Sequence, residues 1–317
     1  MGRRRRELGE HAWIRRLLPR IPGGASVLVG PGDDAAVVRI DGARVVVTTD
    51  ALVEGVHFRG GWLTPRALGA RAFGVNASDL AAMGAVPVAA VMALEATPRT
   101  AAVTLDGIVA GFVAAARPHQ VALVGGNLAR GARLSVTVTL LGRAGPVVAT
   151  RAGARAGDHV FVTGHLGAVG LAVRERRRGR AVPLPPVPDR VRAGGLLARV
   201  ASAMIDLSDG LVQDLDHVAR ASAVTIRIDA RALPVARACR ARLGAAALHF
   251  AATSGEDYEL AFTVRPSRVA ALRRIAGRLG CPVTRIGAVV AGAPRALLVD
   301  DAGAPIPLRH GGFDHLR

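Results

Sequence analysis

The stretch over residues 32–58, GDDAAVVRIDGARVVVTTDALVEGVHF, limits what this chain can become more than any other. Two apolar runs, 35–40 and 44–49, flank Asp41-Gly42, a pair that favours the left-handed backbone of a two-residue hairpin turn. With Ile40 facing Ala43, counting back along the ladder sets Asp34 opposite Thr49 and Asp33 opposite Asp50. Opposed residues lie about 5 Å apart, where like charges repel. Three carboxylates at one hairpin end, beside the hydroxyls of Thr48 and Thr49, are costly unless a cation joins them, and such hard oxygen donors suit magnesium. For Asp33-Asp34 alone, a solvated loop with an Asx turn is the alternative; it leaves Asp50 unexplained.

Further along, Thr64 and Pro65 give an N-cap and first-turn signal for a long alanine-rich helix reaching Gly84. In its NASDLAAMGA end, Asn76, Asp79 and Met83 fall three or four apart and share a face. A carboxylate among Ala, Leu and Met either serves a site or caps a neighbouring loop. Other predicted helices cover 7–18 and 103–116, and strands cover 88–94, 121–124 and 134–143. The strand at 121–124 is expected to be short and buried. It runs into Gly125-Gly126-Asn127, where backbone amides can approach a phosphate or the chain simply turns.

The segment 146–158, with Arg151 and Arg155, is the expected boundary between domains 1–148 and 149–317. Beyond it a strand at 159–163 meets Gly164, Gly167 and Gly170, which imitate a dinucleotide fingerprint without its full pattern or its acidic partner. Residues 174–190, an arginine run followed by PLPPVPD, read as a solvated surface loop. In AMIDLSDGLVQDLDHVA, Ser208 or Asp209 is expected to cap a helix with an inward stripe of Leu211, Leu215 and Val218, and Asp206 stands just upstream. Then come a strand at 224–228, a helix at 233–244, a tight loop at 253–257 holding Glu256, a strand at 258–264, a helix at 267–279 and a strand near 283–290. The fold class is therefore α/β, of α+β type: two α/β domains without the regular alternation of a doubly wound sheet, the first with a mixed or largely antiparallel sheet.

A formal charge of +18 would ordinarily suggest nucleic acid or an anionic membrane. All 42 basic residues are arginine, however, spread along the chain, and aromatics for base stacking make up only 3%. No nucleic-acid or membrane partner is expected. Cys239 and Cys281 form no disulfide or zinc pattern, and no apolar run approaches a membrane span, so a soluble cytoplasmic chain is expected. A basic nucleic-acid binder remains the rival of a different class, and it predicts steeply salt-dependent DNA or RNA binding.

Nearly half of the 24 acidic residues fall in these few motifs. Carboxylates facing phosphates make sense only with divalent ions between them. The chain has no GxxxxGK[ST] loop, no protein-kinase signature, no GxSxG elbow and no Cys–His pairing, which leaves metal-bridged phosphoryl transfer from ATP.

Taken in order, GDDAAVV, TTDALVEGVHF, NASDLAAMGA, IDLSDGL and SGEDYELAFT resemble the thiamine-monophosphate kinase family, of the superfamily that includes aminoimidazole ribonucleotide synthetase and selenophosphate synthetase. The resemblance implies a homodimer paired through its N-terminal domains, several magnesium ions per site, and transfer from ATP to thiamine monophosphate. It places magnesium ligands on Asp34, Thr48, Thr49, Asp50, Asp79, Asp206 and Asp209, with Asp50, Asp79 and Asp209 carrying catalysis. Nucleotide contacts fall on Gly125, Gly126, Asn127, Arg151 and Ser208, and substrate contacts on His57 and Glu256. Two positions depart from the family. Asn127 stands where the family has a metal-binding aspartate, keeping a carbonyl oxygen but losing a charge. His310 stands where the family often has a tryptophan facing thiamine. Another ATP-dependent enzyme of the superfamily, acting on a ribonucleotide or selenide, is the nearest alternative.

Overall fold

The computed structural model describes residues 10–21 and 23–308. Asp41 and Gly42 take φ of 48° and 82°, the left-handed pair that a two-residue hairpin needs. The turn joins β2 (Ala36–Ile40) to β3 (Ala43–Val53), with Ile40 facing Ala43 as expected. The ladder stops at Ala36 opposite Val47. Neither Asp34 nor Asp33 extends it to face Thr49 or Asp50, because β2 begins only at Ala36, although β3 runs on along its other edge with Thr48, Thr49 and Asp50 paired to Leu140, Thr139 and Val138 of the sixth strand. Both oxygens of Asp33 instead accept the Arg151 amide, at 3.2 and 3.1 Å.

A short helix, α1 (Glu10–Leu17), passes into a 3-10 turn at Leu18–Arg20. The first sheet adds β1 (Val27–Val29), β4 (Val86–Ala96), β5 (Ala122–Arg130) and β6 (Ser135–Arg143), in the order β1-β2-β3-β6-β4-β5. Only β4 and β5 are parallel. One face carries α2 (Pro65–Ala82) and α3 (Ala102–Ala116), over a core that includes Val138, Leu140, Ile108 and Phe112. On the other face Val86, Val88 and Val91 are exposed. The expectation of a short buried strand at 121–124 was wrong: β5 continues through Gly125, Gly126 and Asn127 as an exposed edge, with no strand among the described residues paired beyond it.

Helix α2 begins as its sequence predicts, with Thr64 Oγ1 accepting from the Ala67 amide at 3.1 Å. It is buried on nearly every side, so its alanine richness reflects packing between two layers rather than one amphipathic face. Its backbone touches α3 directly. A Cβ on Gly69 would fall 1.8 Å from Ile108 O, and one on Gly111 would fall 1.9 Å from Arg66 O.

The second sheet runs β12-β9-β11-β7-β10-β8, comprising β7 (His159–Thr163), β8 (Ala203–Asp206), β9 (Thr225–Asp229), β10 (Leu260–Val264), β11 (Val283–Val290) and β12 (Arg295–Val299). Val160 and Val162 face the layer that holds α6 (Leu211–Ala221), α7 (Arg237–Leu243) and α8 (Ala247–Thr253). Phe161 and Phe262 stack at 5.6 Å on the other face, toward α5 (Val191–Leu197) and α9 (Val269–Ile275). Ala81 and Ala82 of α2 join that layer, and a Cβ on Gly194 of α5 would fall 2.0 Å from Ala81 O.

The solvated-loop expectation for 174–190 held only in part: residues 178–190 form no helix or strand and 177–181 are exposed, but much of the rest is anchored. Helix α4 (Ala168–Arg177) takes its first part, Glu175 is buried, and Val187 packs on Gly74 of α2. Proline fixes φ and strips donors, so the segment lies against α2 with few backbone amides to satisfy. Two α/β domains with mixed sheets result. Among the described residues no helix is long and apolar enough to cross a membrane.

Candidate active site

The end of β3, one flank of α2 and the end of β8 converge at the junction of the two sheets. The Asp50 amide donates to Asn76 Oδ1 at 3.1 Å, and Asn76 Nδ2 donates to Ala72 O at 2.9 Å, which locks that side chain to its own helix. One turn on, Thr48 Oγ1 donates to Asp79 Oδ2 at 2.5 Å. Ser78, beside it, donates to Asp206 Oδ2 at 2.7 Å in the other domain. Asp34 closes the group from the loop before β2 and receives Arg151 Nη2 at 2.7 Å.

One oxygen from each of Asp34, Asp79 and Asp206 lies within 4.8 Å of the others. Burial first, and then mutual repulsion, pushes these acids upward. Asp206 rises to about 8 through burial and the Asp34 charge, while Asp79 goes well above its ordinary range through burial and the charges of Asp50, Asp206 and Asp34. Asp34 is raised by burial despite Arg151, and its Oδ2 is buried without a hydrogen-bond partner. A buried carboxylate oxygen left open, among three that repel, fits a divalent cation with hard oxygen ligands. Asp33 stays outside the group, raised to about 6 by burial and by Asp34, its oxygens spent on the Arg151 amide.

The expected cap of α6 is reversed. Neither Ser208 nor Asp209 caps it; its N-cap is Gly210, and buried Asp214 within the helix accepts the amides of Asp209 and Gly210 at 3.2 and 3.0 Å. A carboxylate in the first turn, reaching back, satisfies two amides at once and holds Asp209 toward the junction.

These acids line a cleft of about 440 Å³. Thr48, Thr49, Arg151, Ser208 and Asp209 line it with them. So do His57 and Glu256. His57 Nδ1 accepts the Val53 amide at 3.0 Å, which leaves Nε2 as the ring's donor. Glu256 has φ of 70° and is gripped by Arg71 of α2, Nη2 to Oε2 at 3.0 Å. The cleft lining also includes Val56, Trp62, Gly170, Val173 and Arg177.

Gly125, Gly126 and Asn127 do not line this cleft. Asp50, Val138, Met92 and Gly126 form one row across β3, β6, β4 and β5, so three strand spacings, roughly 14 Å, separate the ends. Asn127 falls in the next row, on the uncovered face opposite the buried Val138 and Met92. His310 lies outside the described residues. The sequence reading missed Arg71, Ser78, Asp214 and Trp62 as neighbours of the site. Arg71 and Ser78 share α2 with Asp79, and an arginine inside an alanine-rich helix was the available signal.

Residues 32–144 match the family model described as AIR synthase related protein, N-terminal domain, and residues 155–299 match its C-terminal counterpart. The chain is 37% identical to the thiamine-monophosphate kinase of Salmonella typhimurium, over 97% of this chain and 98% of that one. It is 39% identical to that of Mycobacterium tuberculosis, over 80% of each. Among solved structures, "AaThiL complexed with AMPPCP and TMP" superposes with a TM-score of 0.84 at 28% identity, covering 99% of both chains.

Proposed function

Because this chain belongs to the thiamine-monophosphate kinase family, within the AIR synthase related proteins, we propose that it transfers the terminal phosphoryl group of ATP directly, in line, to thiamine monophosphate, giving thiamine diphosphate and ADP. The observation that carries the reading is one cleft lined both by crowded carboxylates with an open buried oxygen and by apolar side chains.

The oxygens of Asp34, Thr48, Thr49, Asp50, Asp79, Asp206 and Asp209 would hold magnesium. Bound there, it supplies the positive charge that lets two phosphorylated substrates lie together. Arg151 spends its Nη2 on Asp34, but its Nε is buried without a partner and can donate to a nucleotide phosphate, with the Ser208 hydroxyl near it. His57 offers Nε2–H to the acceptor phosphate, and Glu256, held by Arg71, accepts from the base of the acceptor. The acceptor needs no general base. A phosphate monoester with a second pKa of about 6 is already ionised at neutral pH, so alignment and charge cancellation are the task.

The division between domains falls at 148/149, just before the loop that carries Arg151. A second copy of the chain covers the uncovered valine-rich face of the first sheet, and across that dimer Gly125, Gly126 and Asn127 of one protomer complete the nucleotide and metal site of the other. The enzyme works in the cytoplasm, where its nucleotide is.

The test is ADP release with thiamine monophosphate, thiamine, aminoimidazole ribonucleotide precursors or water as acceptor, with and without magnesium. Release that requires both magnesium and thiamine monophosphate is expected. Turnover on another acceptor alone, or no turnover but salt-dependent binding to DNA, would overturn the reading.

A further inference from the structure

Trp62, half-buried in the loop before α2, lines the cleft together with Val56, Gly170, Val173 and Arg177. Tyr258, the other tyrosine or tryptophan on the cleft wall, is nearly buried and already lies beneath Arg71, whose guanidinium is 5.6 Å from its ring centroid. Trp62 is different. Arg59 lies 5.8 Å from its ring centroid, much as Arg71 does at Tyr258, but Trp62 is only half-buried and borders open volume, which leaves indole surface for a ligand. The wall opposite comes close because residue 170 is glycine: a Cβ there would fall 2.5 Å from Ser254 Cβ, in the loop that carries Glu256. The space is thus bounded by an indole, two valines, Arg177 and a carboxylate-bearing loop. That combination suits a flat cationic heteroaromatic ring better than a sugar or an aliphatic chain.

We propose that Trp62 is the platform on which the cationic ring system of the acceptor stacks, making it a specificity-determining residue for the positively charged base rather than for the phosphate. This rests on the proposed reaction with thiamine monophosphate, whose thiazolium supplies the cation. It also gives this chain an aromatic wall independent of whatever stands at position 310.

The chain has two tryptophans, and the other, Trp13, lies on α1 and not in the cleft lining, so Trp13→Phe leaves Trp62 as the sole tryptophan, excited selectively over Tyr258. In that variant, thiamine monophosphate should quench the emission saturably, and inorganic phosphate should not. Trp62→Leu, which keeps apolar bulk, should raise KM for thiamine monophosphate roughly tenfold with kcat and KM for ATP within twofold, while Trp62→Phe stays near wild type. Melting temperatures of both variants show whether they fold. A flat titration in an active enzyme, or equal KM increases for both substrates in a folded Trp62→Leu protein, overturns the platform and leaves the kinase reading standing. Saturable quenching in a wild type that transfers no phosphate would sink the kinase reading and uphold the platform.

Discussion

Two sets of buried carboxylates sit a few residues apart in this molecule and are treated in opposite ways. In the second domain Glu259 is saturated: Arg190 grips both of its oxygens at 2.6 and 2.7 Å, and Thr163 donates to it at 2.6 Å. At the domain junction Asp34, Asp79 and Asp206 share a single arginine, and one oxygen is left open. Burial alone therefore does not mark a functional acid. A carboxylate matched by a fork of donors specifies structure, whereas a group that repels itself and keeps an oxygen unspent is organised for something not covalently part of the chain.

The largest effect should come from unmatching the matched set. Glu259→Gln leaves Arg190 buried against a neutral amide and should cost about 3–5 kcal/mol of stability, read as a large fall in melting temperature. A variant as stable as wild type would dissolve the distinction from the structural side. On the functional side, Asp79→Asn should lower kcat roughly 10²–10³-fold while the melting temperature of the metal-free protein holds or rises, because it removes a repelling charge. Near wild-type turnover at saturating magnesium would show that the open set is not a metal site.

A pH series separates the two sets again. Asp206 has a folded pKa of about 8 against 3.8 unfolded, so between those values the folded protein binds more protons than the unfolded chain. Stability in EDTA should therefore decline as pH rises from about 4 to about 8. Magnesium should raise the melting temperature more at pH 8 than at pH 5, and a metal-free protein that grows more stable across that window would contradict the arrangement. The smallest effect concerns Asn127. Asn127→Asp should lower the half-saturating magnesium concentration by less than roughly tenfold, a change under about 1.4 kcal/mol. An unchanged value would mean that the exposed edge strand contributes no charge to the metal site.

Much of the site was legible because local rules place its residues. The Asp41-Gly42 turn fixes the hairpin register, Thr64-Pro65 starts α2, and helical spacing puts Asn76 and Asp79 on one face. What was not legible depended on distant partners. Asp33 bonds an amide 118 residues away rather than extending the ladder, and Asp214 reaches back from within its helix to the amides of Asp209 and Gly210. Likewise 174–190 read as solvent-facing because proline and arginine usually are, and only the buried flank of α2 makes it a wall.

The close backbone contact of α2 with α3 and α5 sets an unusual limit on mutational drift. In a sequence so biased toward alanine, Gly69, Gly111 and Gly194 are where one more methyl group is forbidden, because each would meet a carbonyl oxygen at 2.0 Å or less. Adding it would pry α2 from its neighbours and carry Asn76, Ser78 and Asp79 away with it. In a saturation scan these three glycines should tolerate fewer replacements than the exposed arginines together, so the most intolerant positions of a highly charged protein would be ones that bear no side chain at all.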